Sequence, residues 1–360
     1  MQLRIHDRYL LKQYIRILFF SILAFVVIYV TVDVFEEIDN FIDHEASIFT
    51  VAKYYLFSLP FILTYIIPLS LLLAAIFSMG ILGRRNEITA FVASGISLTR
   101  VAAPILVTAG LVSLGSVTFN DIVVSKANIK HKEIMHVEIE GNTPSNPMLK
   151  DNLHYLGENG YVYLATRYNH RTQSLHEVVV QGFSGSTLVR RLDAKRASWN
   201  GEAWVFYQGY DRHFNGEEEN VKSFDEFIIP ELKERPELFT KEEVDEENMT
   251  AEELWAYVKR VRNSGGDIER YLTDFYFKFS YPLAGVIFVV LGIALASGKR
   301  KQSMASGFGW SLLIAFVYYG VLRVGQTLGY NGVLPPFLAA QLGNIIFLFV
   351  GFGLITRANK

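Results

Sequence analysis

The chain has 360 residues and a mass of 40.9 kDa, with 51% hydrophobic and only 19% charged side chains, where a soluble domain carries roughly a quarter charged. Its 34 basic and 36 acidic residues leave a net charge of −2, which excludes nucleic-acid binding driven by bulk positive charge. There is no cysteine, so disulfide frameworks, thiolate zinc sites, iron–sulfur clusters and thiol nucleophiles are excluded too.

Crossing a hydrocarbon core of about 30 Å takes about 20 mostly apolar helical residues. Six runs are read as spans: Ile17–Val32, Tyr54–Leu82, Val101–Val124, Phe279–Ala296, Phe308 to about Leu328, and Leu334–Ile355. Pro60 and Pro68 fall inside the second and each removes a backbone hydrogen bond, so a kinked or tilted helix is expected there. Arg4, Arg8, Lys12 and Arg16 precede the first run as in a secretory signal. No small-residue cleavage site follows, and the run is read as a retained membrane helix.

Lysine and arginine in short loops stay on the cytoplasmic side. The N-terminal segment is basic, whereas Asp33, Glu36, Glu37, Asp39, Asp43 and Glu45 after the first span face Lys53 alone. Arg84, Arg85 and Arg100 fill the second connection, Lys299, Arg300 and Lys301 the fourth, and Arg357 and Lys360 end the chain. These charges predict both termini inside and the whole stretch from Ser125 to Arg270 outside.

That outer stretch changes character. Tyr161–Leu164, His176–Val180 and Leu188–Leu192 read as strands, punctuated by Gly157, Gly160, Gly182, Gly185 and Gly209. Asn200-Gly201 between two aromatic-bearing runs signals a hairpin. An antiparallel sandwich or open barrel is expected. From Glu242 the pattern turns helical: Thr250 and Glu253 form a capping box before Leu254, Tyr257, Val258 and Val261, and a second helix starting near Asp267 runs into the fourth span. The acidic stretch from Lys241 to Glu247 reads as a solvated linker. Three parts result: 1–124 with three spans, 125–250 all-β, and 251–360 with connecting helices and three spans.

Chemistry-bearing patterns are sparse. All eight histidines lie outside the spans, which argues against proton relays and intramembrane proteolysis. Ser58, Ser70 and Ser113 lie in spans without a histidine or lysine at helical spacing, and back-bonding to the helix accounts for them. His131 and His136 are five apart and fall on different helix faces, so no metal site is expected. Gly298-Lys299 lacks the spacing and hydroxyl of a phosphate-binding loop. Asn248-Met249-Thr250 is formally a glycosylation sequon, which helix capping by Thr250 explains more simply.

The second connection is different. Gly83-Arg84-Arg85-Asn86-Glu87-Ile88-Thr89-Ala90-Phe91-Val92-Ala93-Ser94-Gly95 is too polar at its start to span. A short helix over 85–94 is predicted along the membrane surface, with Ile88, Phe91 and Val92 toward lipid or neighbouring helices and the charged residues in the cytoplasm. An ordinary interfacial connection and a docking site both fit; Glu87 alone among basic residues favours docking.

This loop, with Asp7-Arg8-Tyr9-Leu10, Arg85-Asn86-Glu87-Ile88, Ala93-Ser94-Gly95, Leu334-Pro335-Pro336 and Asn344-Ile345-Ile346-Phe347, resembles the LptF/LptG family. Those proteins are permease subunits of the ABC exporter that extracts lipopolysaccharide from the bacterial inner membrane. Leu254, Tyr257, Val258, Val261, Ser264-Gly265-Gly266, Arg270-Tyr271, Lys278 and Pro282 resemble the LptG branch more than the LptF branch. The resemblance implies six transmembrane helices and a periplasmic β-jellyroll-like domain between spans three and four. It also implies an LptB-like cytoplasmic ATPase dimer, an LptF-like paralogous permease, LptC-like and LptA-like bridge proteins, and lipopolysaccharide as cargo. No cofactor is expected on this chain, with ATP and magnesium at the partner ATPase.

By the same resemblance the residues coupling to the ATPase are Arg84, Arg85, Asn86, Glu87, Ile88 and Phe91. Inward strand positions for a lipid route are Tyr163 and Phe206 or, in the opposite phase, Val162 and Val205. Asp33, Glu37, Asp39 and Arg323 are headgroup candidates. Where some LptG proteins carry lysines after span one, this chain has Asp33, Asp39 and Asn40, and Gln341 and Gly343 stand where aromatic residues or proline are frequent. A membrane-anchored scaffold or sensor with an outer β-domain is the alternative from another class.

Overall fold

A computed structural model describes residues 5–141, 149–157, 161–184, 187–215, 218–229, 232, 234–240, 246–263, 266–296 and 304–358. The basic connection at 299–301, most of the acidic stretch, Gly160, Gly185 and Ser264-Gly265 lie outside them. The chain divides into two compact units, one formed by Met1–Gly141 with Leu272–Lys360 and the other by Asn142–Tyr271.

Among the described residues six helices are long and apolar enough to cross a membrane. They are α1 (Ile5–Asp43), α2 (Ile48–Arg84), the helix beginning with α4 (Leu98–Phe119), α8 (Glu269–Ala296), α9 (Met304–Tyr330) and α10 (Pro336–Ala358), with the short α3 (Glu87–Ala93) between α2 and α4. Each outlasts its apolar run, because helix is the conformation that satisfies the backbone from within wherever water is scarce. Ser47 and Ser97 open α2 and α4 by accepting from the amides of Thr50 and Arg100. Pro60 and Pro68 sit inside α2 without ending it.

The third span does not stop at Val124. It passes through a π-helical turn (Asn120–Val124), α5 (Ser125–Glu133) and a second π-helical segment (Ile134–Ile139). This stretch is polar but free of proline and glycine until Gly141, which takes a φ of 68°. The β unit therefore begins at Asn142, later than the boundary of 125 drawn from composition.

In the membrane unit close approach depends on small residues. A Cβ added at Gly292 would lie 2.9 Å from the Ala75 Cβ, and one at Gly285 2.8 Å from Leu71 Cδ1, so both glycines bring α8 against α2. Polar groups tie the last three spans: Asn344 Nδ2 donates to the Ser280 carbonyl (3.0 Å) and hydroxyl (2.8 Å), and Tyr318 donates to Asn344 Oδ1 (2.9 Å). Gln341 accepts from Asn344 at 2.9 Å, and the Tyr318 ring would lie 3.1 Å from a Cβ at Gly343. The departures at 341 and 343 thus belong to this network.

The second unit carries one six-stranded antiparallel sheet in sequence order: β1 (Leu149–Leu156), β2 (Tyr161–Asn169), β3 (Ser174–Ser184), β4 (Thr187–Trp199), β5 (Trp204–Asn215) and β6 (Glu218–Ile228). The Asn200-Gly201 turn is a four-residue loop. Trp199 pairs with Trp204, Asn200 Oδ1 accepts from the amides of Glu202 and Ala203, and Gly201 takes a φ of 104°. Gly182 and Gly209 lie inside strands, not in turns, where the rings of Tyr161 and Phe224 lie over them. A row of skipped residues, Asn152, Thr166, Glu177, Lys195, Gln208 and Asp225, crosses all six strands, a separate register shift at Gly182/Phe183 skips Val189, and Asn152, Glu177 and Gln208 take φ near 50°. Across this row the buried phase slips, from Ala165 to Tyr168, from Leu175 to Val178 and from Ala194 to Ala197.

After the sheet come α6 (Glu237–Thr240) and α7 (Ala251–Asn263). The capping box at α7 forms as expected, with Thr250 N donating to Glu253 Oε2 at 2.8 Å and Glu253 N to Thr250 Oγ1 at 3.3 Å.

Candidate functional site

The segment between α2 and α4 is built by two sharp turns. Arg85 caps α2 through its amide to the Ile81 carbonyl, and Asn86 takes a left-handed φ of 57°, which asparagine tolerates. The chain turns before α3 begins at Glu87, two residues later than the 85–94 helix read from sequence. Gly95, at a φ of 85°, closes it. Ile88 and Phe91 pack against the core that holds Leu10, Met79, Leu82 and Val101. Arg84, Arg85, Asn86, Thr89 and Ala90 are exposed, and Val92, expected on the apolar side, is 53% exposed. Val92 stands one turn after Ile88, at the edge of the same face, and the core beneath α3 reaches Ile88 and Phe91 without covering it.

Glu87 is half-buried and already engaged. Tyr9 donates to Glu87 Oε1 at 3.2 Å, Arg85 Nη1 donates to the Tyr9 hydroxyl at 3.3 Å, and Arg85 lies 3.8 Å from Glu87. Asp7, 2% exposed, accepts from Arg100 Nη2 at 2.9 Å, and the His6 ring lies 6.0 Å from that of Phe91. Sequence reasoning missed that Tyr9 and Asp7 brace this segment from behind; their placement in one short motif was visible, their partners Glu87 and Arg100, 78 and 93 residues away, were not.

The acidic far end of α1 is not one cluster. Asp33 accepts from the Tyr55 hydroxyl at 3.0 Å, Glu37 accepts from Asn40 at 3.2 Å, and Asp39 is exposed. Lys53 pairs with Glu138. The His131 ring stacks 4.2 Å from Tyr54, and His136 faces Glu140 at 2.8 Å, so the two histidines serve different neighbours. Arg323 in α9 is held by Tyr319 (2.9 and 2.6 Å) and Gln326 (2.8 Å), with its guanidinium 5.0 Å over the Tyr319 ring.

In the β unit, Tyr163 and Phe206 point into the apolar interior, Val205 is buried as well, and Val162 is half-buried. The interior is filled by the chain itself. Ile229, Leu232 and Phe239 complete its core, and the Phe239 ring lies 4.8 Å from Tyr155, 5.3 Å from Tyr163 and 5.4 Å from Trp204. Trp204 Nε1 donates to the Glu234 carbonyl at 2.8 Å and Tyr168 to that of Pro236 at 2.8 Å. Tyr163 donates to the buried Glu234 carboxylate at 2.5 Å; burial and that negative charge push the Tyr163 hydroxyl up, so it remains a donor. Tyr163 and Phe206 have no exposed surface in this conformation. Further along the sheet, Arg190 forks onto Asp211 with two bonds of 2.9 Å. Burial alone would raise the Asp211 carboxyl, yet Arg190 and His213 hold it below the ordinary carboxylate range.

Residues 8–357 match the family model described as lipopolysaccharide export system permease LptF/LptG. Two curated relatives, each a lipopolysaccharide export system permease protein LptG, come from Escherichia coli strain K12 and Escherichia coli O6:H1 strain CFT073. Each is 21% identical to this chain over 317 residues, covering 85% of this chain and 85% of its own length.

Proposed function

The chain belongs to the LptF/LptG family of lipopolysaccharide-export permeases, and on that footing we propose that it is the LptG-side subunit of an ABC exporter. It takes lipopolysaccharide from the outer leaflet of the bacterial inner membrane and passes it to a periplasmic bridge. A separate cytoplasmic ATPase dimer, holding ATP and magnesium, supplies the energy, and an LptF-like paralogue completes the cavity. LptC-like and LptA-like proteins receive the lipid. The termini and α3 lie in the cytoplasm and the β unit in the periplasm, a reading supported by the basic residues at 84, 85, 100 and 299–301.

The observation that carries this reading is α3: a short helix with Ile88 and Phe91 packed into the spans and its other side, with Arg84 and Arg85, facing out. That is what a docking element needs, an outer surface for a partner and an inner one rigidly joined to the spans. Glu87 keeps a second carboxylate oxygen for an arginine of the ATPase. At the outer end of the spans, Arg323 is a preorganised guanidinium for a lipid phosphate, while Asp33, Glu37 and Asp39 face water and their neighbours. Acyl chains reach Tyr163, Phe206 and Val205 only when Ile229, Leu232 and Phe239 leave the interior; Val162 lies off that route. No observation favours the scaffold or sensor reading.

The test is reconstitution of this chain with its companion permease and ATPase in vesicles containing lipopolysaccharide. ATP-dependent release to a bridge protein is the expected result, and Glu87→Ala should lower complex recovery or release while membrane insertion stays normal. Release that ignores ATP, or wild-type behaviour of Glu87→Ala in both assays, would refute it.

A further inference from the structure

The motif Asp7-Arg8-Tyr9 lies in the first turns of α1, and the proposed function assigns it no role. Its two partnered side chains reach the two ends of the same excursion. Asp7 holds Arg100, the third residue of α4. Tyr9 holds Glu87, the first residue of α3, and is in turn held by Arg85, the residue that caps α2. His6 adds a ring contact to Phe91, in the second half of α3. The start of α1 therefore touches α3 and the helix ends on both sides of it.

These contacts differ in kind from the apolar packing around them. Leu10, Tyr14 and Leu18 fix α1 against α2 and α4 by burial, an attraction that is non-directional and does not by itself set where the α3 carboxylate stands. Hydrogen bonds at Tyr9 and Asp7 are directional and break when α3 rotates or shifts by more than a fraction of an ångström unless α1 follows. Between Phe25 and Phe41 no side chain of α1 is fully buried, and this part meets α2 through Val26, Val30 and the Asp33–Tyr55 bond; a helix moves as a rod, so its outer half follows its inner end. At 1.5 Å per residue its 39 residues carry such a movement across about 58 Å.

We infer that Tyr9 and the Asp7–Arg100 pair are the joint by which displacement of α3 is delivered to span one. Tyr9 is a positioning residue: it acts through Glu87, and its hydroxyl sets where that carboxylate stands. The inference rests on the reading of α3 as the ATPase-docking element and extends it from the docking surface to the moving part.

The experiment uses the assembled complex in vesicles and measures two quantities together, ATP hydrolysed and lipopolysaccharide released. Tyr9→Phe keeps the ring and removes the hydroxyl. It should leave complex recovery and ATP hydrolysis unchanged and lower release per ATP about fivefold, the size expected for one net hydrogen bond. Arg100→Ala should uncouple similarly, and Arg100→Lys, which preserves the charge toward Asp7, should restore at least half of the lost coupling. A role in folding alone would lower recovery and leave the release-to-hydrolysis ratio untouched, and that result overturns the joint. So does wild-type coupling in Tyr9→Phe when Glu87→Ala is uncoupled in the same preparation. Wild-type behaviour of Glu87→Ala would instead defeat the docking reading beneath it.

Discussion

Spans one and two are alike by length, 39 and 37 residues, and both are apolar through most of their course, yet 17% of the most apolar stretch is buried in one and 67% in the other. The difference comes from side-chain size. Gly285 and Gly292 bring α8 onto Leu71, Leu72 and Ala75 of α2, whereas α1 presents Phe19, Phe20, Leu23, Ile28 and Val32 outward. Lipid tails are as apolar as leucine, so an exposed apolar face costs nothing in the bilayer, and packing is won by small residues. Span two is therefore the centre of the membrane unit, and span one keeps most of its apolar face uncovered.

Filling the contact that centres span two should have the largest effect. Gly292→Leu places a side chain where the Ala75 Cβ and the Leu72 carbonyl already stand, and should destabilise the unit by about 3 kcal/mol, read as lost folded protein on detergent thermal melting. The β unit offers a comparison outside the membrane, since it too has a filled interior. Asp211→Asn leaves Arg190 without its bidentate partner and should cost about 2 kcal/mol, less than a fully buried pair because Arg190 keeps some solvent contact. Its pH dependence has a definite sign. The folded carboxyl lies below its unfolded value, so the pair's contribution is present above the unfolded value and fades as pH falls through the folded one. Hydrogen exchange in β4 and β5 should therefore quicken on acidification in the wild type and change less in Asp211→Asn. Asn344→Leu removes the network that ties α8, α9 and α10 and should cost about 1 kcal/mol, since hydrogen bonds between membrane helices are individually weak. The smallest effect belongs to span one: Ile28→Ala should shift the melting stability by less than about 0.5 kcal/mol. A large loss there would break the contrast between the two spans.

Much of the architecture was legible because the bilayer and the strand pleat impose simple patterns. Six apolar runs, the Asn200-Gly201 turn and the Thr250–Glu253 box each depend on residues close in sequence. The limits were equally physical. The pleat slips at Asn152, Glu177 and Gln208, which no period-two count can follow, and the interior is closed by a proline-bearing segment whose apolar residues, Ile229, Leu232 and Phe239, follow no strand or helix period. At the candidate site, α3 and its glycine boundary were visible, and so was Glu87 as a lone acid among arginines. That Glu87 is already held by Tyr9, and that Asp7 reaches Arg100, depends on how α1 packs on α2 and α4, and nothing local in the chain records it.

The joint at Tyr9 requires span one to move with the α3 segment. Spin labels at Ile28, exposed on α1, and Leu111, exposed on α4, report that movement in the assembled complex by the distance between them, measured without nucleotide and with the ATPase trapped after hydrolysis. The account predicts that the distance distribution shifts on trapping in the wild-type complex and stays in its nucleotide-free position in Tyr9→Phe. A distribution that does not respond to trapping in the wild type, or one that shifts equally in Tyr9→Phe, would contradict it.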